Sequence, residues 1–192
     1  AALDAGETVL EIGPGRGILT RTLCEAANRV IALEIDQHLV EYLKKTLTCP
    51  NLDLRHDDAL CFAYETLPEH VMVVANLPYY ISTPLLFTLL EAKNRIGRMV
   101  LMLQTEVAER IVASPNTEAY GILSVLTQYR AETKIALRVP KNCFRPRPDV
   151  DSAIITLRIR PHPSVSMPNE ALFVKLVRAA FAHRRKTLSN SL

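Results

Sequence analysis

The strongest constraint on folding is the run ETVLEIGPGRGILTRTLCEAAN, Glu7 to Asn28. An apolar strand-like run ends in three closely spaced glycines, and an amphipathic segment starts at once. The same alternation recurs along the chain. RVIALEID precedes the helical QHLVEYLKKTL, LDLRHDD is a weaker strand, and VMVVANL precedes STPLLFTLLEAKN. RMVLMLQ, TEVAERIVA and YGILSVLTQYR continue the pattern as a strand and two helices. Short β-rich runs separated by helical segments predict a parallel α/β sheet. KIALRVP and SAIITLRIR flank only the loop KNCFRPRPDVD, so one of these two strands is expected antiparallel at that edge. In STPLLFTLLEAKN, Ser82 or Thr83 is placed at the helix cap and Pro84 in the first turn.

PHPSVSMP, Pro161 to Pro168, reads as a linker. Residues 1–160 are therefore assigned to one catalytic domain, 161–168 to a linker, and 169–192 to a basic helix. In that helix Phe173, Leu176, Val177 and Ala180 recur at helical spacing, and Arg184, Arg185 and Lys186 close it.

Of the 192 residues, 48% are hydrophobic and 22% charged, the range of ordinary globular domains. No apolar run nears the ~20 residues that span a bilayer, and the opening AALDAGETVL carries no signal-peptide pattern. The four cysteines show no CxxC spacing and the five histidines are scattered. Neither a metal site nor a disulfide frame is expected, and the chain is placed in the cytoplasm. Residues 1–129 hold 10 Lys/Arg against 16 Asp/Glu, whereas residues 130–192 hold 13 against 4. A polyanion facing the last third and a solvated basic surface account for this split equally well.

Gly13, Gly15 and Gly17 follow a GxGxG spacing, and Ile18 stands where a dinucleotide fingerprint has its third glycine. That favours a nucleoside with a small charged tail, such as S-adenosylmethionine, over a pyrophosphate. Glu34, at the end of the second strand, suits a ribose diol. Asp36 is its rival and reads better as a helix N-cap. Asp58, after the third strand, suits an adenine amino group, with Asp57 beside it solvated. Asn76, Leu77, Pro78 and Tyr79 end the fourth strand. A carboxamide oxygen and a backbone carbonyl there can accept both hydrogens of an exocyclic amine. The proline stiffens the turn, and a tyrosine ring can stack on a base. Tyr80 is not separable from a packing residue. Phe144 lies in a proline-stiffened loop between Arg145, Arg147 and the preceding strand, and could equally be a packed loop residue.

EIGPGRG, ALEID, HDDA, NLPYYISTP, MLQTEVAERI, the YG-x-LSV run, FRPRPDVDSA and HRRKTLSNSL occur together in this order. In this the whole chain resembles the ribosomal RNA adenine N6,N6-dimethyltransferases, the bacterial small-subunit branch above all. The resemblance implies a Rossmann-like class I fold: a mostly parallel seven-stranded sheet with an antiparallel edge strand. It also implies S-adenosyl-L-methionine as cofactor and small-subunit rRNA, or a pre-30S particle, as partner of a monomer. Gly13 would lie against the methionine part, with Gly15 and Gly17 shaping the loop. Glu34 would take the ribose hydroxyls, Asp58 the adenine amine, and Asn76 both cofactor and target amine. Tyr79 and Phe144 would sandwich the target adenine, with Leu77 and Pro78 completing the turn. Arg145, Arg147, Arg184, Arg185 and Lys186 would face RNA. Family members also carry an N-terminal segment that closes over the cofactor and a C-terminal helical lobe. The chain opens after the first and stops where the second should begin, so it is read as a catalytic core.

Three other readings compete. Protein-glutamine and DNA-adenine methyltransferases use a related turn with two prolines, against which Leu77 stands. A macrolide-resistance-type large-subunit rRNA methylase shares the turn. A non-catalytic ribosome-assembly or RNA-binding factor would not need Gly13, Glu34, Asp58 and Asn76 together.

Overall fold

The computed structural model describes Leu3 and residues 6–182. Seven strands make one sheet: β1 (Thr8–Ile12), β2 (Arg29–Glu34), β3 (Leu52–His56), β4 (Val71–Asn76), β5 (Ile96–Gln104), β6 (Ala131–Val139) and β7 (Ser152–Ile159). Six helices connect or follow them: α1 (Ile18–Ala26), α2 (Gln37–Thr46), α3 (Ser82–Glu91), α4 (Thr105–Val112), α5 (Ile122–Arg130) and α6 (Glu170–Ala180).

The strand order is β3-β2-β1-β4-β5-β7-β6. β1 to β5 are mutually parallel, and β7 is antiparallel to both β5 and β6. The antiparallel strand thus sits one place in from the edge, which β6 occupies. The reason is local. The loop from Val139 to Ser152 carries no α-helix, and its two ends are register partners in the β6–β7 hairpin. Chain order reverses between β1 and β4, and this opens a crevice at their C-terminal ends.

The inner strands are buried on both faces, which is why they read as continuous apolar runs. Leu10 and Val73 enter a large core with Leu85 and Leu89 of α3 and Ile111 of α4. Their neighbours Val9 and Met72 point the other way, into a smaller core with Leu23 of α1. Each fully buried Leu or Ile contributes roughly 1.5–3 kcal/mol before the cost of ordering the chain.

Asp36 caps α2 by accepting from the His38 N–H at 2.8 Å, as its position suggested. Neither Ser82 nor Thr83 caps α3. Residues Tyr79–Ile81 form a 3₁₀ turn that runs straight into the helix, so the cap position falls on Ile81. The Ser82 hydroxyl turns back and donates to the Tyr79 carbonyl at 3.0 Å. In α6, Phe173 packs on Tyr129 with ring centroids 4.7 Å apart, and Val177 is buried. Leu176, expected on that stripe, is 46% exposed. Glu170 ties the start of α6 to Arg130 at 2.7 Å and to Lys93 at 3.6 Å. Among the described residues no helix is long and apolar enough to cross a membrane, and no three metal-ligating side chains converge.

Candidate active site

The glycine loop is the backbone bridge from β1 to α1. Gly13, Gly15 and Gly17 all have left-handed φ, at 71°, 57° and 79°, where a side chain would be strained. The three differ in what surrounds them. A Cβ on Gly17 would meet Leu43 Cδ2 at 2.8 Å, so this glycine lets α1 pack against α2. A Cβ on Gly13 or Gly15 would meet nothing within 4 Å, so these two border open space.

Glu34 is 6% exposed at the end of β2. Its Oε2 accepts from the Gly15 N–H at 3.2 Å and its Oε1 from the Asp36 N–H at 3.0 Å. The carboxylate therefore holds the loop and keeps further lone pairs for a diol. The β3 end lies alongside, joined by Asp57 N–H donating to the Glu34 carbonyl at 3.0 Å. Asp57 is exposed, as expected, and its Oδ1 accepts from the Asp58 N–H. Asp58 Oδ1 accepts from the Leu60 N–H at 2.8 Å, while among the described residues Oδ2 meets only the Cys61 thiol at 4.0 Å.

Asn76 ends β4 and is exposed. No hydrogen bond among the described residues occupies its carboxamide. Leu77 is buried and its N–H donates to the Met102 carbonyl at 3.3 Å, which anchors the turn to β5. The exposed Pro78 gives its carbonyl to the Ile81 N–H at 3.2 Å, and no hydrogen bond among the described residues falls on the Leu77 carbonyl. Tyr79 is half-buried, and its hydroxyl shares a 3.0 Å hydrogen bond with Ser152 Oγ, itself 1% exposed. Tyr80 is 83% exposed and takes no part in the packed core of the described residues.

Ser152 is also the foot of the loop that carries Phe144, because it pairs with both Gln104 and Val139. That loop is pinned by Lys141 N–H on Asp151 Oδ1 at 2.9 Å and by Thr105 N–H on the Asp151 carbonyl at 3.0 Å. Phe144 is half-buried, Arg145 and Arg147 are exposed, and the Arg145–Pro146 bond is cis. The structure thus brings Asn76, Tyr79 and the Phe144 loop to one end of the sheet. No ring contact among the described residues joins Tyr79 to Phe144. Arg184, Arg185 and Lys186 lie outside the described residues.

Sequence reading passed over two sets of residues. Ile18, Ile35 and Leu60 are exposed apolar side chains directly following Gly17, Glu34 and the Asp58 turn. Their signal was an apolar residue at each strand-end loop where a polar one would be expected. The second is Glu11, in the middle of a strand run that looked wholly structural. It is 1% exposed, and neither its Oε2 nor the buried Thr20 hydroxyl has a well-formed hydrogen bond. Burial pushes its carboxyl up to about 7; the Glu34 charge adds to this, and the nearby Thr20 hydroxyl pulls it partly back.

These features fit S-adenosylmethionine: open space at two glycines, an unpaired buried carboxyl oxygen two residues before the first of them, a strand-end carboxylate and apolar flanks. A concavity of about 1420 Å³ lies elsewhere, over the β5, β7 and β6 face near Arg98, Lys134 and Arg158. It contains none of the candidate site residues.

The family model described as Ribosomal RNA adenine dimethylase matches residues 1–192. The Ribosomal RNA small subunit methyltransferase A of Bacillus mycoides (strain KBAB4) is 46% identical over 200 residues, covering 100% of this chain and 68% of that protein. A dimethyladenosine transferase from Plasmodium falciparum superposes with TM-score 0.85 at 32% identity, covering 98% of this chain and 68% of the other. The 23S rRNA methyltransferase ErmE gives 0.80 at 31% identity, covering 100% and 77%. The motif order, the strand order and these matches agree, and the chain belongs to the ribosomal RNA adenine dimethylase family.

Proposed function

We propose that this chain is the catalytic core of an S-adenosyl-L-methionine-dependent methyltransferase that dimethylates N6 of adenines in small-subunit ribosomal RNA during ribosome biogenesis. The observation that carries the reading is Asn76 at the β4 end of the crevice between β1 and β4: no hydrogen bond among the described residues takes its carboxamide or the carbonyl of the next residue, Leu77.

Gly13 and Gly15 give the methionine part close approach to the backbone. Glu34 accepts the ribose hydroxyls, Asp58 Oδ2 accepts the adenine amine, and Ile35 and Leu60 offer apolar surface to the ring. S-adenosylmethionine, when bound, supplies an electrophilic methyl group. Asn76 Oδ1 and the Leu77 carbonyl accept the two N–H groups of the target amine. Held so, the nitrogen lone pair leaves conjugation with the ring and points at the methyl donor. Pro78 stiffens the turn, the Tyr79 ring supports one face of the base, and Phe144 supplies the second wall. The alkylated nitrogen is acidic and passes its proton to Asn76 Oδ1 or the Leu77 carbonyl and on to water, so no strong base is needed. Arg145 and Arg147 face the RNA backbone, joined by Arg184, Arg185 and Lys186.

The partner is small-subunit rRNA or a pre-30S particle, and the protein acts as a cytoplasmic monomer. Residues 1–160 form the catalytic domain, 161–168 the linker, and 169–192 the basic start of a C-terminal lobe. The resistance-type large-subunit reading draws on the likeness to ErmE. The 46% identity to small-subunit enzymes favours the first.

Mass spectrometry of rRNA after incubating unmethylated small subunits with S-adenosylmethionine and the full-length protein tests the assignment. Two methyl groups per target adenine are expected. Unmodified small subunits, with methylation found on large-subunit rRNA in a parallel incubation, would replace this reading with the second.

A further inference from the structure

Glu11 belongs to none of the roles above, yet it is the most unusual polar side chain in the fold. It sits on β1, register partner of Ala32 on β2 and Val74 on β4, two residues before Gly13. It is sealed from solvent and Oε2 is unpaired. From α1 it is faced by the Thr20 hydroxyl and by Cys24, whose thiol is pushed up to about 12 by burial first, then by Cys49, with Glu11 contributing. From β2 it is faced by Glu34. No cationic side chain among the described residues acts on it. Two carboxylates thus act on each other near the glycine loop, an arrangement that is costly when both are charged.

The missing positive charge has a source in the ligand class assigned to the site. S-adenosylmethionine carries an ammonium, a carboxylate and a sulfonium, for a net charge of +1. Its demethylated product keeps the same amino-acid tail and loses the sulfonium charge, for a net charge of zero. We infer that Glu11 is a buried counter-charge for the methyl donor: a positioning residue that holds a proton in the free enzyme, releases it as the cationic donor binds, and regains it once the neutral thioether remains. The proton leaves the Glu11 carboxyl for solvent, and the carboxylate balances the charge that enters. Donor and spent product, alike in shape, are thereby told apart by charge, and the product is released more readily.

This rests on the S-adenosylmethionine reading. The test is isothermal titration calorimetry of the full-length protein with donor and, separately, with demethylated product, in buffers of differing ionisation heat between pH 6 and 8. Protonation of the shared tail cancels in the difference between the two ligands. With the free-enzyme carboxyl titrating at about 7, donor binding should release about half a proton more than product binding at pH 7. Donor affinity relative to product should weaken about tenfold from pH 8 to pH 6. Both differences should vanish in Glu11→Gln, provided its melting curve shows a folded protein. Should the variant not fold, ¹³C NMR of glutamate-labelled wild type replaces it: one carboxyl should titrate near neutrality when free and shift downward with donor only. Equal proton release by donor and product, or no glutamate titrating near neutrality, overturns the inference and leaves the cofactor reading standing. Failure of the donor to bind at all overturns both.

Discussion

The two halves of the crevice are built to opposite rules. On the β1–β2 side, the groups that shape the cradle are already engaged: Glu34 accepts two backbone N–H groups, and Gly13 N–H bonds the Leu33 carbonyl. On the β4–β7 side, Asn76, Pro78 and Tyr80 are exposed, and the carboxamide has no partner among the described residues. A small cofactor of fixed shape is served by a preorganised cradle that costs nothing to rearrange on binding. A base delivered by a large RNA needs groups left open to receive it. The difference predicts that changes on the first side alter cofactor affinity and stability, whereas changes on the second alter turnover.

Asn76→Ala breaks this comparison most severely if it is wrong. Turnover should fall by roughly 10²–10³-fold, the usual effect of removing one oriented polar contact from a transition state. Donor affinity measured by calorimetry should stay within a few-fold, because the cradle lies on the other side. Near-normal turnover would remove Asn76 from the chemistry.

Glu11 gives the next largest effect, on stability. Its carboxyl is held at about 7, above the ordinary 4.5. The native state therefore keeps the proton that the unfolded chain loses. The favourable contribution is complete below pH 4.5 and is lost as pH rises to about 7. Relative to Glu11→Gln, the ligand-free wild type should lose up to about 3 kcal/mol over that window. Urea unfolding at pH 4, 5.5 and 7.5 reads this directly. Parallel curves for the two proteins would mean that the carboxyl titrates normally.

Much of this was legible in the chain. Periodicity gave the strands, and the glycine loop with its strand-end acids placed the crevice, because each rests on local chemistry. What stayed hidden was long-range. Glu11 looks like any strand residue until α1 closes over it with Thr20. Gly17 looks like its neighbours until α2 brings Leu43 against it. Ser82 reads as a cap by residue type, but the 3₁₀ turn before it shifts the helix start by one position. Tyr79 and Ser152 are 73 residues apart and meet only because β7 inserts between β5 and β6.

The glycines sharpen the comparison within the cradle itself. Gly17→Ala combines a left-handed backbone with a 2.8 Å clash on Leu43, and should cost roughly 1–3 kcal/mol of stability in denaturant melts. Gly15→Ala meets open space, so only the backbone strain remains, about 1 kcal/mol. Its larger effect should be on donor affinity, because the added methyl enters the space the cofactor needs. Equal destabilisation by both would show that strain, not packing, governs this loop.

Tyr79→Phe is the mildest test and isolates the link between the two walls of the base site. The ring is kept, and the 3.0 Å hydrogen bond to Ser152 is lost. Ser152→Ala removes the same bond from the other end, where the hydroxyl is buried. Each should cost about 0.5–1.5 kcal/mol, the net value of one such hydrogen bond. The double variant should cost little more than either alone, since the second substitution has no bond left to break. Turnover should drop only a few-fold in Tyr79→Phe, with the loss in kcat rather than in donor affinity, because the bond orients the ring without touching the cradle. A fully additive double variant would mean that Tyr79 and Ser152 act separately. The wall formed by Tyr79 would then be held by the Pro78 turn alone, independent of the loop that carries Phe144.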